Sequence, residues 1–292
     1  MATGVRTDTG RVREGNEDRY LVREEQGITL LAVADGVGGS SGGEIAADAA
    51  LAELGTRFFG APADRPTSDA LAEAMRDANA AVLRAAASSG HRDAATTIVA
   101  AVVRDNEAII ANLGDSRAYL IREGICRQLT EDHSGDMEHA ITRFAGDPRG
   151  IQSDIFVESL RPDDRLLLCS DGLTRHVTPE EIAAAASGED VRVAASALVD
   201  LANARGGQDN VTVLLHAPGR RATVAGTAGR AVAFAVFALL ILVTVGGAIA
   251  VLFAVSSAPP PATAQPTVST SPTPTESATP SPSTSPSPTA SP

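Results

Sequence analysis

Residues 164–173 read DRLLLCSDGL, an apolar run that leads directly into an aspartate and a glycine. A short apolar run predicts a buried strand, and the Asp-Gly pair predicts a turn at its end. The same arrangement occurs in LLAVADGVGG at residues 30–39, and an aspartate precedes a strand-like run in GGQDNVTVLL at residues 206–215. One aspartate at the end of a strand is ordinary turn chemistry, but three of them indicate a common site.

The composition describes an acidic chain that can fold around a sizeable core. Hydrophobic residues make up 43% of the 292 residues and aromatic residues only 3%, so Ala, Val, Leu and Ile must fill that core. The formal net charge of −12 argues against a nucleic-acid partner, which would bind a broad basic surface. The two cysteines form no CxxC pattern and predict no disulfide framework.

Strand and helix patterns alternate along residues 1–219, which we predict to be one domain. Polar turn residues separate apolar runs in VVRDNEAII and LIREGICR, which is typical of hairpins. The hairpins and the long helices around them predict an α+β protein of layered helices and antiparallel sheets, not a doubly wound parallel sheet. We expect strands at residues 28–34, 97–103, 108–113, 117–122, 154–160, 165–170 and 211–216, and helices at residues 43–59, 68–88, 179–187 and 190–205.

Residues 231–255 are uncharged and mainly apolar, with the sequence AVAFAVFALLILVTVGGAIAVLFAV. A helix of this length, rising about 1.5 Å per residue, is long enough to cross the hydrocarbon core of a bilayer. Arginines lie in the linker before it, at residues 220–230, and none follows it nearby. The positive-inside rule therefore predicts a single-pass protein of the cell membrane whose folded domain is cytoplasmic.

The chain continues with residues 256–292, which are almost entirely Pro, Ser, Thr and Ala. Such a segment buries too little apolar surface to offset the entropy of ordering it. We expect a disordered, extracytoplasmic tail.

Six carboxylates lie beside predicted turns, and their chemistry indicates a metal centre. Mg²⁺ and Mn²⁺ prefer carboxylate, carbonyl and water oxygens, and a glycine after an aspartate lets a backbone carbonyl approach the same ion. Clustered carboxylates repel one another unless a cation neutralises them, and we expect no basic partners within these motifs. The six residues are Glu17, Asp18, Asp35, Asp115, Asp171 and Asp209.

The order of these motifs resembles that of one enzyme family. The chain contains RxxNED, ADGVGGxxxGE, ATT, GDSRAYLxREG, LTEDHS, DRLLLCSDGL and GGQDNVTV in sequence. This pattern, over residues 4–217, is similar to that of the metal-dependent Ser/Thr protein phosphatases of the PP2C family, and in particular to their bacterial, membrane-anchored members. The resemblance implies a four-layer α/β/β/α sandwich with metal ions in a channel between the sheets.

The resemblance also implies roles for individual residues in a site of two Mn²⁺ or Mg²⁺ ions. Asp35 matches the carboxylate that bridges both ions, and Asp171 and Asp209 match the other ligands of the first ion. Gly36 would offer its backbone carbonyl to the second ion, which Glu17 would reach mostly through water.

Three further residues match positions around the ions. Arg13 matches the family's site for the substrate phosphate, where a guanidinium can contact two phosphoryl oxygens at once. Asp18 would support the ligands from behind, and Asn210 would orient Asp209 or a water held by the ions.

Asp115 matches a ligand of a third ion, but this chain differs from many family members beside it. They have an aspartate four residues after the SDG aspartate, where this chain has Arg175. A cation opposite Asp115 would leave the third site weak or empty. We therefore expect two ions.

The activity implied is hydrolysis of phosphoserine and phosphothreonine in proteins by a water that the ions activate. Phosphorylated proteins would be the substrates, and Ser/Thr protein kinases are expected partners by analogy. A phosphoprotein-binding pseudophosphatase is an alternative. Arg175 favours it, and so does the short segment DHSGDMEHAITRFAGDPRG from the LTEDHS motif onward, where family members often have a longer flap. The retained aspartates oppose it. A structural role for the anchored tail is another, opposed by the lack of a folded outer domain.

Overall fold

The computed structural model describes residues 1–37, 42–135, 141–188 and 190–219. All of these residues fall within one unit of the chain, Met1–Thr223. Its elements are, in chain order, β1 (Ala2–Asp8), β2 (Arg19–Glu25), β3 (Ile28–Ala34), β4 (Gly36–Val37), α1 (Gly42–Phe59), α2 (Thr67–Ser89), β5 (Ala95–Thr96), β6 (Ile98–Arg104), β7 (Glu107–Leu113), β8 (Arg117–Arg122), β9 (Ile125–Gln128), β10 (Asp154–Ser159), β11 (Arg165–Cys169), α3 (Asp171–Thr174), α4 (Pro179–Ala186), α5 (Val191–Ala204) and β12 (Val211–Ala217).

Two five-stranded sheets form the centre of the fold. One sheet has the strand order β1-β12-β11-β8-β9 and the other β10-β7-β6-β3-β2, and every neighbouring pair is antiparallel. The predicted hairpin of β8 and β9 turns at Glu123 and Gly124, both with positive φ, as two-residue hairpin loops require. The predicted antiparallel pairing is therefore confirmed.

Three apolar cores join four layers. Helices α1 and α2 pack on the sheet that contains β3, helices α3 to α5 pack on the sheet that contains β11, and a third core lies between the sheets. In β11, Leu167 and Cys169 face the helices, whereas Leu166 and Leu168 face the other sheet. Because both faces are buried, the strand is apolar throughout. The predicted α/β/β/α sandwich is confirmed.

The observed elements differ from the predicted ones at the edges of the sheets. Every predicted strand and helix lies within one residue of its observed bounds. The patterns do not predict the edge strands β1 and β2 or the two-residue strands β4 and β5. In β2, half-buried and exposed residues alternate, so it lacks the apolar run of the central strands. Asp171, expected at a turn, instead begins the short helix α3, which follows Ser170 in extended conformation.

No helix among the described residues is long and apolar enough to cross a bilayer. The predicted linker at residues 220–230, the span at residues 231–255 and the tail at residues 256–292 lie outside the described residues. The second unit of the chain, Val224–Pro292, also lies outside the described residues.

His216 is a completely buried histidine of β12. It lies on the same face of the strand as Leu214 in the core between the sheets. Its Nδ1 lies 2.9 Å from Oγ1 of Thr3, and its Nε2 has no hydrogen-bond partner within the described residues. Burial, together with the nearby N-terminal charge, lowers the pKa of His216 from 6.5 to about 4.

We expect the protein to lose stability relative to a His216→Asn variant as the pH falls from about 6.5 to about 4. In this window the unfolded chain binds a proton at His216 and the folded protein does not, so protonation favours unfolding. A pKa lowered from 6.5 to about 4 corresponds to at most about 3 kcal/mol. Urea unfolding of both proteins at several pH values measures the difference in the free energy of unfolding. If that difference does not change with pH, the claim that His216 is buried without its proton is wrong.

Candidate metal centre

Three strand ends bring the predicted ligands to one end of the sandwich. Asp35 directly follows β3, Asp171 lies two residues after the end of β11, and Asp209 lies two residues before β12. Because β11 and β12 are antiparallel neighbours, the end of one lies beside the start of the other. Strand β3 contacts both from the second sheet. The fold therefore gathers three carboxylates that are far apart in sequence.

The charges of these groups act on one another. Burial raises the pKa of Asp35 well above its usual range, and the charges of Asp18, Asp171, Asp115 and Asp209 raise it further. Burial also raises the pKa of Asp18 to about 7, with a contribution from neighbouring carboxylates. The pKa of Asp115 is raised to about 6 for the same reasons. Such shifts arise where carboxylates are crowded in a poorly solvated place without a sufficient positive charge.

Three of these carboxylates each have a buried oxygen without a hydrogen-bond partner among the described residues. They are the Oδ1 atoms of Asp18, Asp115 and Asp171. A buried polar atom without a partner costs about 1–3 kcal/mol, and more when it is charged, so an ion or a water normally satisfies it. Carboxylates and a glycine carbonyl are also the donors that hard divalent cations prefer. The residues present therefore fit a divalent metal centre.

Two arginines bind the carboxylates in the structure. Nε of Arg175 lies 3.0 Å from Oδ2 of Asp171, to which its Nη2 also donates, and Nη2 of Arg13 lies 2.9 Å from Oδ2 of Asp209. With the side chains in these positions, no group of three or more His, Cys, Asp or Glu residues in the described part of the chain could hold a metal ion. Because Arg13 and Arg175 bind Asp209 and Asp171, the expectation that the acidic motifs have no basic partners is wrong.

Hydroxyl groups hold the backbone of Asp35 in place. Its N–H donates to Oγ1 of Thr97 at 3.1 Å, and its carbonyl accepts from Oγ1 of Thr96 and from the N–H of Thr97, both at 2.9 Å. Oγ1 of Thr97 also lies 2.7 Å from Oγ of Ser116, the neighbour of Asp115. The sequence patterns predict no role for these hydroxyls, whose only signal is their presence in the ATT and GDSR motifs.

Gly36 lies where no side chain fits. A Cβ atom at this position would lie 2.4 Å from the carbonyl carbon of Gly43 and 2.8 Å from the carbonyl oxygen of Glu17. Both are backbone atoms and neither can rotate away. The glycine therefore lets the start of α1 and the loop before β2 close around the end of β3, where its carbonyl is a candidate ligand.

Asn210 fastens the loop that carries Glu17 to the start of β12. Its Oδ1 accepts from the N–H of Glu17 at 2.8 Å, and its Nδ2 donates to the carbonyls of Thr9 and Gly15, both at 2.9 Å. Only its backbone N–H reaches Oδ1 of Asp209, at 3.0 Å. The side chain thus positions the loop and not Asp209, because its amide satisfies three backbone groups at once.

Asp18 lies behind the end of β11 and is only 2% exposed. Its Oδ2 accepts a hydrogen bond from Oγ of Ser170 at 2.7 Å, and Ser170 in turn accepts from the N–H of Thr212 at 2.9 Å. Ser170 directly precedes Asp171. These bonds therefore join the loop after β1 to two neighbouring strand ends, a role of Ser170 that the sequence patterns do not predict.

Glu17 and Arg13 lie at the open side of the cluster. Burial raises the pKa of Glu17; the charge of Arg13 opposes this, and the charges of Glu44 and Asp209 add to it. The side chain of Arg13 is 53% exposed although it is paired with Asp209. A guanidinium so exposed can exchange a carboxylate for phosphoryl oxygens.

Comparison with known proteins places this chain in a family. A family model described as protein phosphatase 2C matches residues 10–207. The serine/threonine phosphatase stp of Listeria monocytogenes is 34% identical over 239 residues, which cover 74% of this chain and 95% of the relative.

Solved structures agree with the sequence comparisons. The crystal structure of the Mycobacterium tuberculosis serine/threonine phosphatase PstP/Ppp superposes on this chain with a TM-score of 0.67 at 30% sequence identity. The superposition covers 75% of this chain and 99% of that one. The catalytic domain of PstP in complex with two manganese ions has a TM-score of 0.64 at 32% identity, with 73% of this chain and 96% of that one covered. The chain belongs to the protein phosphatase 2C family and is a protein serine/threonine phosphatase.

Proposed function

We propose that this phosphatase hydrolyses phosphoserine and phosphothreonine in proteins with two divalent cations, Mn²⁺ or Mg²⁺, bound at the strand ends. The observation that carries the proposal is the set of crowded carboxylates, three of which have a buried oxygen without a partner among the described residues. Divalent cations offset such repulsion more strongly than single positive charges do. The related structure with two manganese ions supports the number and kind of ion.

Each ion would have ligands of its own, and the two ions would share one ligand. Asp35 would bind both ions, as the resemblance to the family implies. Asp171 and Asp209 would bind the first ion, and the carbonyl of Gly36, together with Glu17, would bind the second.

A third ion beside Asp115 is disfavoured in this proposal. The charge of Arg175 acts on Asp115 and lowers its pKa against the effect of burial. A cation that is already part of the chain would repel an ion at this position.

The chemistry that the ions supply is activation of a water for in-line attack on phosphorus and neutralisation of phosphoryl charge. Arg13 would leave Asp209 and hold phosphoryl oxygens as charge develops on them. Neither cysteine would act as a nucleophile. Burial raises the pKa of Cys126 to about 12 and that of the fully buried Cys169 well above its usual range, so neither forms a thiolate near neutral pH.

Phosphate release from a phosphothreonine peptide by the full chain, measured across a Mn²⁺ titration, tests this proposal. We expect Asp171→Asn and Asp209→Asn each to lower kcat/KM by about 100-fold or more, because each removes an anionic ligand. Asp200→Asn, on the exposed side of α5, is the matched control and should keep full activity. Chelation of the metal should stop turnover in all active proteins.

Turnover that persists after chelation of the metal would contradict the two-ion proposal. Turnover that persists in both the Asp171→Asn and the Asp209→Asn variant would contradict it as well. A folded, metal-loaded protein without turnover would point instead to the phosphoprotein-binding role.

We also propose that residues 231–255 anchor the phosphatase in a bacterial cell membrane, with its domain in the cytoplasm and residues 256–292 outside. Strand β12 begins beside Asp209 and ends at Ala217, and an extended strand of this kind spans about 20 Å. Strand β12 therefore ends on the side of the sandwich opposite the carboxylates. The anchor would keep the phosphatase at the membrane, where phosphorylated proteins, among them Ser/Thr kinases, would be its substrates.

Fractionation of bacterial cells tests the anchor. We expect the full chain to stay in the membrane fraction through an alkaline carbonate wash, and a chain that ends at residue 219 to be released, because it lacks the apolar stretch. A full chain that the wash removes would contradict the proposal.

A further inference from the structure

Arg175 is placed by the same short helix that places Asp171. Asp171 is the first residue of α3 and Arg175 directly follows its last. The N–H of Arg175 donates to the carbonyl of Asp171 at 3.0 Å. Residues four apart on a helical turn lie on the same side of it, so the backbone directs both side chains toward one place.

The guanidinium of Arg175 lies against both proposed ligands of the first ion. Nε and Nη2 both donate to Oδ2 of Asp171, and Nη2 lies 3.8 Å from Oδ2 of Asp209. The arginine side chain is 28% exposed and both aspartate side chains are 17% exposed. The guanidinium is thus hydrogen-bonded to Asp171 and within ion-pair distance of Asp209, whose own hydrogen bond comes from Arg13. One cationic group therefore lies between two largely buried carboxylates, where a metal ion would lie.

A guanidinium and a divalent cation cannot both hold these oxygens. Mg²⁺ takes its oxygen ligands at about 2.0–2.1 Å, so an ion bound to Oδ2 of Asp171 would lie within the reach of the arginine nitrogens. Two cations at that distance repel strongly in a partly buried site. The charge of Arg175 also acts on Asp35, the proposed bridging ligand.

We propose that Arg175 is a built-in competitor of the first metal ion: its guanidinium neutralises Asp171 and Asp209 in the metal-free protein and leaves them when the ion binds. The inference rests on the proposed two-ion function. It has two consequences. The carboxylates bind metal more weakly than they would without Arg175, and the metal-free fold is more stable than it would be without this arginine.

Calorimetric titration of Mn²⁺ into the full chain in detergent tests the first consequence. Arg175→Gln keeps a polar side chain of similar reach and removes the charge. We expect the variant to bind Mn²⁺ at least about fivefold more tightly, because the ion no longer displaces an ion pair.

Thermal unfolding tests the second consequence and does not depend on activity. Without metal, the Arg175→Gln variant should unfold at a lower temperature than the wild type, because Asp171 and Asp209 lose a counter-charge. Saturating Mn²⁺ should then raise its Tm by more than it raises that of the wild type, since tighter binding stabilises more.

Two further variants separate charge from structure. Arg57→Gln is the matched control, because Nε of Arg57 bonds Oε1 of Glu53 at 2.8 Å with the same four-residue spacing, on α1 and outside the cluster. It should leave the affinity for Mn²⁺ unchanged. Arg175→Lys keeps the positive charge and should bind Mn²⁺ with an affinity closer to that of the wild type than to that of Arg175→Gln.

The possible outcomes are distinct. Equal or weaker Mn²⁺ binding by Arg175→Gln, with clear binding by the wild type, would overturn the inference and leave the proposed function intact. If neither protein binds Mn²⁺, the proposed two-ion function fails, and the inference fails with it.

Discussion

Repulsion among carboxylates at one end of the sandwich is the constraint on which the rest of the structure depends. Strands β3 and β11 deliver Asp35 and Asp171 from opposite sheets, and both strands are buried on both faces. The acids cannot separate unless the core between the sheets opens. Burial, and then the charges of the neighbouring aspartates, raise the pKa of Asp35 well above its usual range. Positive charge must therefore be supplied locally, by Arg13 and Arg175 in this structure and, in our proposal, by divalent ions in the working enzyme.

A second set of groups keeps the acids together whatever cation is present. Thr97 ties the turn at Asp35 to the segment at Ser116, and Ser170 ties Asp18 to β12. Asn210 adds the loop that carries Glu17. These bonds are short and mostly buried, so they fix backbone positions at the ends of several different elements. These bonds hold the backbone that carries the acids in place. The side chains of Asp171 and Asp209 must still leave Arg175 and Arg13 before they can bind an ion.

The sequence predicts the parts of this arrangement that depend on local pattern. Strand β8 and strand β3 match the expected bounds to the residue, because strands buried on both faces are continuous apolar runs. Contacts of the arginines were not predicted, for two different reasons. Arg13 and Asp209 are 196 residues apart, and no periodic pattern reports such a contact. Arg175 and Asp171 are only four apart, but the expected turn in place of α3 concealed the helical spacing that joins them.

Anomalous scattering at the manganese edge, from crystals of this protein soaked in Mn²⁺, tests the central claim most directly. We expect two manganese peaks that share Asp35, with Asp171 and Asp209 as ligands of one of them and no peak at Asp115. The guanidinium of Arg175 should be turned away from Asp171. Manganese absent from Asp35 in a saturated crystal would contradict the claim that these carboxylates form the metal centre. A fully occupied third peak beside Asp115 would contradict the proposal that the charge of Arg175 excludes a third ion.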